Sequence, residues 1–436
     1  MRTASQMTSS NRSGDPLGLP LLVETLDLSP SADPLRLLAQ APTGFQAWWH
    51  HDGQTLAGFG VAVELQASGP GRFQDLANQL LELPTDVLAF AGGAFASEPG
   101  PPSPSEHLPN AAAWVPELLA SSDGETTTLI ASSRPGSATR DELRARLART
   151  ARRLAAAPSE AYDRWSCPDL QTAALAPNEH DFDEAVSRVT TAIEEGHLSK
   201  VVLARRSRTR VDEAPSAALV ADALRSQFPH AFVFGLQRGS DLFAGASPEL
   251  LVRVDGLDVQ STPAAGTAPF EQPLEALHTA KNLHEQALVA EAVNDALRPW
   301  CDALTAGDPR TLDAGPVRHL MTDIRGHLRR HVHALSLVQA LHPTPAVCGT
   351  PTDQALASIA AVEGFDRGWY AGPFGVVDTS GDGTFAIALR AFSLTGHHLD
   401  RFAGAGIVAG SDAMAERQEI DAKLSAMGTF LGSLGG

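Results

Sequence analysis

The alternation of apolar and polar positions is clearest after residue 177. A helix is predicted from Asp181 to Gly196, because apolar residues recur at helical spacing and Asp181 with Glu184 resembles a capping box. Strands are predicted at residues 200–205, 231–237, 242–254 and 256–262, and a hairpin is predicted from residues 369–378 and 384–394. Further helices are predicted at about residues 274–297, around 329–341 and at about 414–431.

The N-terminal part has weaker patterns. Residues 1–30 are rich in Ser, Pro, Gly and Asp and have no periodicity, so a mobile tail is predicted there. Short apolar runs with glycines between residues 45 and 95 predict strands with tight turns. The basic residues 141–157 have helical spacing, and we interpret them as a solvated surface helix rather than a membrane or nucleic-acid helix.

Strands and helices are mixed without a strict βαβ alternation. This order predicts an α+β fold in which antiparallel sheets carry helices on their outer faces. We find no internal repeat, no phosphate-binding glycine loop and no HExxH motif.

Composition excludes several classes of function. The formal net charge of −18 argues against a nucleic-acid partner, and it requires any site for an anionic substrate to provide local positive charge. No apolar run is long enough to cross a bilayer and no secretory signal is recognisable, so a cytoplasmic location is predicted. Cys167, Cys301 and Cys348 are too scattered for a disulfide framework or a thiolate metal site. No exposed apolar helix face stands out, so a monomer is expected.

A carboxylate lies within the apolar stripe of the long helix. At about 100° per residue, Glu285 is flanked by Leu288 and Val289. A buried carboxylate needs a cation, a hydrogen-bonding network or a metal. The alternative is a solvated helix end, with Lys281 as the partner of Glu285 at i−4.

The last predicted helix has a similar acidic face. Glu416, Glu419 and Lys423 lie at i, i+3 and i+7, beside an apolar face rather than opposite to it. A surface ladder of ion pairs is one interpretation. The other is that carboxylates from two helices form an oxygen-ligand site suited to Mg²⁺ and an anionic substrate.

The predicted hairpin provides a possible anion site. Alternation along its second strand directs Thr384, Ala386, Ala388 and Arg390 to one face, so small side chains lead to one arginine that could hold a carboxylate. Gly404, Ala405 and Gly406 have little side-chain bulk and could bring backbone amides against an anion, or could form a strand bulge.

Taken together, these segments resemble the chorismate-utilising enzymes, a family that includes isochorismate, salicylate, anthranilate and aminodeoxychorismate synthases. The resemblance spans roughly residues 178–436 and is closest to the isochorismate synthases. It rests on Lys200-Val-Val-Leu-Ala-Arg205, Gly245-Ala-Ser-Pro-Glu249-Leu-Leu, Ala265-Gly266-Thr267, Lys281-Asn-Leu-His-Glu285, Leu341-His-Pro-Thr-Pro-Ala-Val-Cys-Gly349, Phe365-Asp-Arg-Gly and Gly404-Ala-Gly-Ile-Val, followed by Glu416, Glu419 and Lys423.

The resemblance implies a fold and a set of site residues. The fold would be one structural domain, a large sandwich of antiparallel sheets that residues 31–177 complete. Lys200 would be the general base and Glu249 the general acid. Glu285 and Glu419 would bind Mg²⁺, joined by Glu416 directly or through water. The substrate chorismate would be held by Arg390, by the backbone around Gly404, Ala405 and Gly406, and by Gly266, Thr267, His319 and Lys423.

The implied reaction is the conversion of chorismate to isochorismate. Lys200 would accept a proton from the water that attacks C2, and Glu249 would protonate the hydroxyl that leaves C4. These roles require a lowered lysine pKa and a raised glutamic acid pKa. Ala265 stands where aminodeoxychorismate synthases have a nucleophilic lysine, which argues against amine transfer.

Two alternative functions, and two metabolic uses of the product, stay open at this point. A salicylate synthase would also eliminate pyruvate, and a silent relative would bind chorismate without turnover. Isochorismate could supply menaquinone or a catechol siderophore.

Overall fold

The computed structural model describes residues 21–29, 31–40, 44–84, 87–98, 108–156, 165–166, 170, 173–314 and 317–435. Cys167 and residues 1–20 and 30 of the predicted tail lie outside these ranges, whereas Cys301 and Cys348 are free and buried. Within the described ranges, no helix has the length and apolar character needed to span a membrane.

The helices of the described residues are α1 (Arg36–Gln40), α2 (Arg72–Leu80), α3 (Arg140–Ala156), α4 (Glu179–Glu194), α5 (Ala217–Gln227), α6 (Ala280–Leu297), α7 (Ala334–Leu341), α8 (Thr352–Val362) and α9 (Ala413–Ser433).

The strands before residue 200 are β1 (Leu22–Leu28), β2 (Phe45–His51), β3 (Gln54–Phe59), β4 (Val63–Ala67), β5 (Leu88–Gly93), β6 (Ala111–Val115), β7 (Leu118–Ser122), β8 (Thr127–Ser133) and β9 (Ala174–Ala176). The next are β10 (Lys200–Arg210), β11 (Phe232–Arg238), β12 (Asp241–Ser247), β13 (Leu250–Asp255), β14 (Asp258–Thr262) and β15 (Ala264–Pro269). The last are β16 (Cys301–Ala306), β17 (Arg310–Ala314), β18 (Val317–Met321), β19 (Ile324–Leu328), β20 (Gly349–Thr350), β21 (Pro373–Asp378), β22 (Gly383–Ile387), β23 (Ala391–Thr395) and β24 (His398–Ile407).

Two large antiparallel sheets form the core of the fold. The 12-stranded sheet has the order β1-β8-β7-β3-β2-β11-β12-β23-β24-β10-β20, with β9 also paired to β10. The nine-stranded sheet has the order β16-β19-β14-β13-β22-β21-β5-β6-β4, and β15, β18 and β17 form a small third sheet. The prediction of an α+β fold built from antiparallel sheets is confirmed.

An aromatic layer fills the space between the two large sheets. Phe234 of β11 stacks on Phe374 of β21 with 5.1 Å between ring centroids, and Trp114 lies 5.7 Å from Trp369. These rings come from strands of both sheets, so the layer joins the sheets face to face. Apolar clusters on the outer faces bury residues of the flanking helices.

The N-terminal strands are integral to both sheets. β1 pairs with β8 along its whole length, from Leu22 opposite Ser133 to Leu28 opposite Thr127. The prediction of a mobile tail up to residue 30 was therefore too long, because residues 22–28 form backbone hydrogen bonds with β8. β1–β3, β7 and β8 join the larger sheet and β4–β6 the smaller one.

Three helix starts differ from their predictions because other residues cap the helices. His333 caps α7, which begins at Ala334 rather than near residue 329. Asn178 accepts a hydrogen bond from the backbone N–H of Asp181, so α4 begins at Glu179 rather than at Asp181. Thr279 accepts one from the N–H of Asn282, so α6 begins at Ala280 rather than near residue 274.

Predicted continuous strands are interrupted at two places. Residues 242–254 form β12 and β13, which belong to different sheets, and residues 384–394 likewise form β22 and β23. The hairpin from β21 to β22 is confirmed, but its second strand ends at Ile387. Arg390 lies in the interruption with φ of +47°, so the predicted strand alternation does not reach it.

Close packing around Trp48 generates a stability prediction. Gly235 lies opposite Trp48 in the β2–β11 pair, and a Cβ atom at Gly235 would lie 1.9 Å from Trp48 Cζ2. We expect Gly235→Ala to reduce the free energy of unfolding by about 1–3 kcal/mol through overpacking, measured as a lower unfolding temperature. The control is Gly432→Ala in α9, where a Cβ meets nothing within 4 Å. An unchanged unfolding temperature for Gly235→Ala would contradict the prediction.

Candidate active site

The site forms where two neighbouring strands pass from one large sheet to the other. β12 pairs with β23 in the larger sheet, and β13 pairs with β22 in the smaller one. At the interruption the N–H of Ile387 donates to the carbonyl of Glu249 over 3.2 Å, and the N–H of Ala246 donates to the carbonyl of Arg390 over 3.3 Å. The two interruptions therefore lie side by side, and they bring Glu249 and Arg390 to one cavity.

This cavity has about 850 Å³ of empty space, including its open mouth. It is lined by most of the predicted site residues: Glu249, Gly266, Thr267, Glu285, His319, Arg390, Gly404, Gly406, Glu419 and Lys423. Lys200, Ala405 and Glu416 do not line it.

Lys200 lies immediately behind the cavity wall, at the start of β10. Its Nζ atom is 2.9 Å from Oε1 of Glu285, and only 1% of its side chain is exposed. Gly406 of β24 leaves room for this pair, because a Cβ atom there would lie 2.3 Å from Glu285 Oε1 and 3.1 Å from Lys200 Cε. Glu285 thus has the buried cation partner that its place in the apolar stripe requires. The alternative partner, Lys281, pairs with Glu416 instead.

Glu249 is a carboxyl group that stays protonated at neutral pH. Burial raises its pKa to about 8, although a hydrogen bond from the backbone of Ala264 and the charge of Lys200 act in the opposite direction. Desolvation dominates because only 2% of the residue is exposed. A neutral carboxylic acid can donate a hydrogen bond or a proton to a group in the cavity.

Arg390 provides a cation that no carboxylate neutralises within the described residues. Its buried Nη2 atom has no hydrogen-bond partner there. Burial lowers its pKa to about 10, so the guanidinium is still charged at neutral pH. Arg390 and Ala371, which also lines the cavity, both have left-handed backbone conformations, with φ of +47° and +61°. Strained backbone of this kind is common at ligand sites.

Thr267 and His319 form the wall contributed by the third sheet. They are paired between β15 and β18, and Thr267 Oγ1 lies 3.1 Å from Nδ1 of His319. Burial lowers the pKa of His319 well below its usual value, and the charges of Lys423 and Arg390 act in the same direction. The imidazole is therefore neutral. Gly266 has φ of +70°, and a Cβ atom there would lie 2.9 Å from the carbonyl of Asn282.

The predicted metal ligands are each paired with a lysine. Glu419 Oε1 lies 2.6 Å from Nζ of Lys423, which also donates to the carbonyl of Gly404 over 2.8 Å. Glu416 Oε1 lies 2.9 Å from Nζ of Lys281, and burial raises the pKa of Glu416. Over the described residues, no group of three or more His, Cys, Asp or Glu side chains is arranged to hold a metal ion.

The donor chemistry of the cavity nevertheless fits Mg²⁺. Glu285 and Glu419 reach the same cavity from α6 and α9, whereas Glu416 does not line it. Proteins commonly bind Mg²⁺ through one or two carboxylates, with water and an anionic substrate completing the coordination. Mg²⁺ binding by Glu285 and Glu419 therefore stays a prediction, and a direct role for Glu416 has no support from its position.

Arg367 and Tyr370 were not predicted as site residues. Both line the cavity. The Tyr370 ring stacks on Phe402 with 4.9 Å between centroids, and burial raises the pKa of its hydroxyl, which therefore stays a neutral donor. Tyr370 was expected inside a strand, but β21 begins only at Pro373. The sequence feature that could have indicated Tyr370 as a site residue was its position directly before the Ala371-Gly-Pro run.

Comparison with known proteins agrees with this geometry. A Pseudomonas aeruginosa protein described as "Salicylate biosynthesis isochorismate synthase" is 34% identical over 418 residues, covering 89% of this chain and 85% of the relative. Isochorismate synthase DhbC of Bacillus subtilis is 38% identical over 268 residues, covering 58% of this chain and 67% of the relative.

Solved structures show the same fold. The menaquinone-specific isochorismate synthase MenF of Escherichia coli superimposes with a TM-score of 0.80 at 25% identity, covering 96% of each chain. Component I of anthranilate synthase from Streptococcus pneumoniae superimposes with a TM-score of 0.72 at 22% identity, covering 89% of this chain and 92% of the other.

The chorismate binding enzyme family matches residues 18–432, which include the N-terminal strands as well as the segments on which the resemblance rested. The predicted resemblance is therefore confirmed, and this chain belongs to the chorismate binding enzymes.

Proposed function

We propose that this protein is an isochorismate synthase that converts chorismate reversibly to isochorismate with Mg²⁺. The carrying observation is geometric: the buried Glu249 and Arg390 line one cavity, Lys200 lies against Glu285 behind its wall, and Arg390 has no carboxylate partner among the described residues. The names of the relatives in Pseudomonas aeruginosa and Bacillus subtilis support the same reaction.

Glu249 and Lys200 have the functional groups that the two proton transfers require. The hydroxyl that leaves C4 of chorismate must take up a proton, and Glu249 carries one up to a pH of about 8. The water that attacks C2 must lose a proton, and the Lys200 amine, in its neutral form, is the candidate acceptor. Glu285 fixes the position of that amine by accepting its hydrogen bond over 2.9 Å.

Arg390 and Tyr370 are suited to bind a carboxylate of the substrate. The unpartnered Nη2–H of Arg390 is a buried donor, and pairing it with an anion would offset its desolvation. The Tyr370 hydroxyl lies beside Gly404, where a Cβ atom would be 3.4 Å from it. These donors provide the local positive potential that a chain of net charge −18 must supply for an anionic substrate.

Glu285 and Glu419 would hold Mg²⁺, as the sequence predicted. When bound, the ion would neutralise the ring carboxylate of chorismate and orient the ring. Lys423 is held on that side of the cavity between Glu419 and the carbonyl of Gly404. A cytoplasmic location and a monomeric state stay predictions from the sequence.

Product analysis tests the proposed reaction. Chorismate with Mg²⁺ at near-neutral pH is expected to give isochorismate without stoichiometric pyruvate, and added isochorismate should return chorismate, because similar bonds are made and broken. Lys200→Ala serves as a matched inactive variant that should keep chorismate binding. Chromatography measures both isomers, and fluorescence measures salicylate. Pyruvate formed together with salicylate from the start would favour a salicylate synthase, and binding without any product would favour a silent relative.

Glu249→Gln tests the acid by two independent measurements. The turnover number should fall by about a hundredfold or more with chorismate binding kept, because the amide has the shape but no transferable proton. The folded state keeps the proton up to a pH of about 8, whereas the unfolded carboxyl releases it near 4.5. The free energy of unfolding should therefore fall as the pH rises through this window, by about 1–3 kcal/mol more in the wild type than in the variant.

Urea denaturation curves of the wild type and of Glu249→Gln at pH 5.5 and pH 8 measure this difference. Equal pH dependence in the two proteins would show that Glu249 ionises normally and would contradict its role as the acid.

Glu285→Gln tests the metal assignment. The variant should need at least about ten times more Mg²⁺ for half-maximal activity, because an amide retains the shape of the ligand but loses its charge. Glu291→Gln on the exposed face of α6 is the control and should leave this concentration unchanged. If Glu285→Gln reaches half-maximal activity at the wild-type Mg²⁺ concentration, Glu285 is not a ligand.

A further inference from the structure

One edge of β10 lacks a strand partner beside the candidate base. On this edge β20 pairs only with Lys200 and Val201, and β9 pairs with residues 206–208. The opposite edge is paired with β24 from Val201 to Arg210. On this edge Val202 keeps one backbone hydrogen bond, from its N–H to the carbonyl of Cys348 over 2.7 Å. Among the described residues, no strand pairs here with the carbonyl of Val202 or with residues 203–205, although they are buried.

The side chains of Glu363 and Arg367 fill this interruption. Glu363 Oε1 accepts a hydrogen bond from the N–H of Ala204 over 2.7 Å, and Arg367 Nη2 donates to the carbonyl of Val202 over 2.8 Å. The two side chains also bind each other, through Nε and Oε2 over 2.9 Å and through Nη2 and Oε1. They complete the backbone hydrogen bonding of β10 where no strand does so.

The same pair links β10 to two other parts of the cavity wall. Arg367 Nη1 donates to the carbonyl of Val347, which lines the cavity before β20, over 2.7 Å. The carbonyl of Arg367 accepts a hydrogen bond from the N–H of Tyr370 over 3.1 Å. Arg367 therefore fixes the positions of β10, of the segment at Val347 and of its own turn at Tyr370 relative to one another. All three segments contribute to the cavity.

The pair lies close to Lys200 along the strand. Lys200 and Val202 are two residues apart, so their side chains lie on the same face of β10, and Val202 lines the cavity. A displacement of the Val202 carbonyl would move the backbone of β10 two residues from Lys200. Both members of the pair are at most 2% exposed, and an ion pair so deeply buried has a large desolvation cost, which makes it weak evidence for a stabilising role alone.

We propose that Glu363 and Arg367 are positioning residues, which fix the edge of β10 so that the Lys200 amine stays within hydrogen-bond distance of Glu285 behind the cavity wall. This inference rests on the proposed function of Lys200 as the base. Neither residue is assigned contact with the reacting atoms.

Two conservative variants test the proposal. Glu363→Gln keeps an oxygen acceptor for the N–H of Ala204 but loses the charge that holds Arg367. Arg367→Lys keeps a positive charge, but one ammonium cannot span the carbonyls of Val202 and Val347 together. The turnover number should fall at least tenfold in each variant, with the KM for chorismate within about threefold of the wild-type value.

A second ion pair on the same strand provides the control. Arg208 of β10 and Asp400 of β24 form two hydrogen bonds of 2.7 Å, and the side chain of Asp400 is 1% exposed. Asp400→Asn should lower the unfolding temperature while the turnover number stays near wild type. If it reduces turnover as much as Glu363→Gln at a similar loss of stability, the pair has only a structural role. A raised KM with unchanged turnover in Arg367→Lys would instead make Arg367 a substrate contact, and either result overturns the proposal.

Hydrogen exchange separates this proposal from the proposed reaction. Peptides covering residues 200–205 should exchange their amide hydrogens faster in Glu363→Gln and Arg367→Lys than in the wild type, and at the wild-type rate in Asp400→Asn. Unchanged exchange in the first two variants would show that the pair does not hold β10. A wild-type protein that forms no isochorismate would remove the proposed function, but the exchange result would still decide whether the pair fixes this strand.

Discussion

The passage of two neighbouring strands from one sheet to the other determines the position of Glu249, the proposed acid, and of Arg390. A strand that changes sheets must interrupt its hydrogen-bonding pattern, and here two neighbouring strands do so side by side. The carbonyls of Glu249 and Arg390 accept the hydrogen bonds that hold the interruptions together. Their side chains enter the space where the sheets separate, so acid and cation are fixed by backbone geometry rather than by a flexible loop.

Charge within the cavity is arranged in pairs with one exception. Lys200 with Glu285, Lys423 with Glu419 and Arg367 with Glu363 each neutralise one another, whereas Glu249 and His319 are uncharged at neutral pH. Arg390 alone contributes an uncompensated positive charge among these residues. An acidic protein can thus present a positive site without a large basic surface, which agrees with the formal net charge of −18.

The periodicity of apolar residues predicts where helices and strands lie better than it predicts which residues and strands pair with one another. The place of Glu285 within an apolar stripe indicated a buried cation partner, but not that Lys200 on a distant strand would provide it instead of Lys281 at i−4. The run from residue 242 to residue 254 has the pattern of one strand, and alternation does not record which sheet a residue joins. Glu363 and Arg367 have the i, i+4 spacing of an ordinary surface pair, so their burial depends on tertiary packing that no local pattern encodes.

The glycines of β24 restrict how this cavity can change during evolution. A side chain at Gly406 would collide with Glu285, and the smallest one at Gly404 would already lie 3.2 Å from the carbonyl of Leu203. Added side-chain bulk on this wall is therefore excluded at Gly406 and tight at Gly404. On the wall that β15 and β18 contribute, Ala265, Thr267 and His319 present side chains whose size can vary. A change of substrate preference is therefore easier to reach by substitution in those two strands than at the glycines of β24.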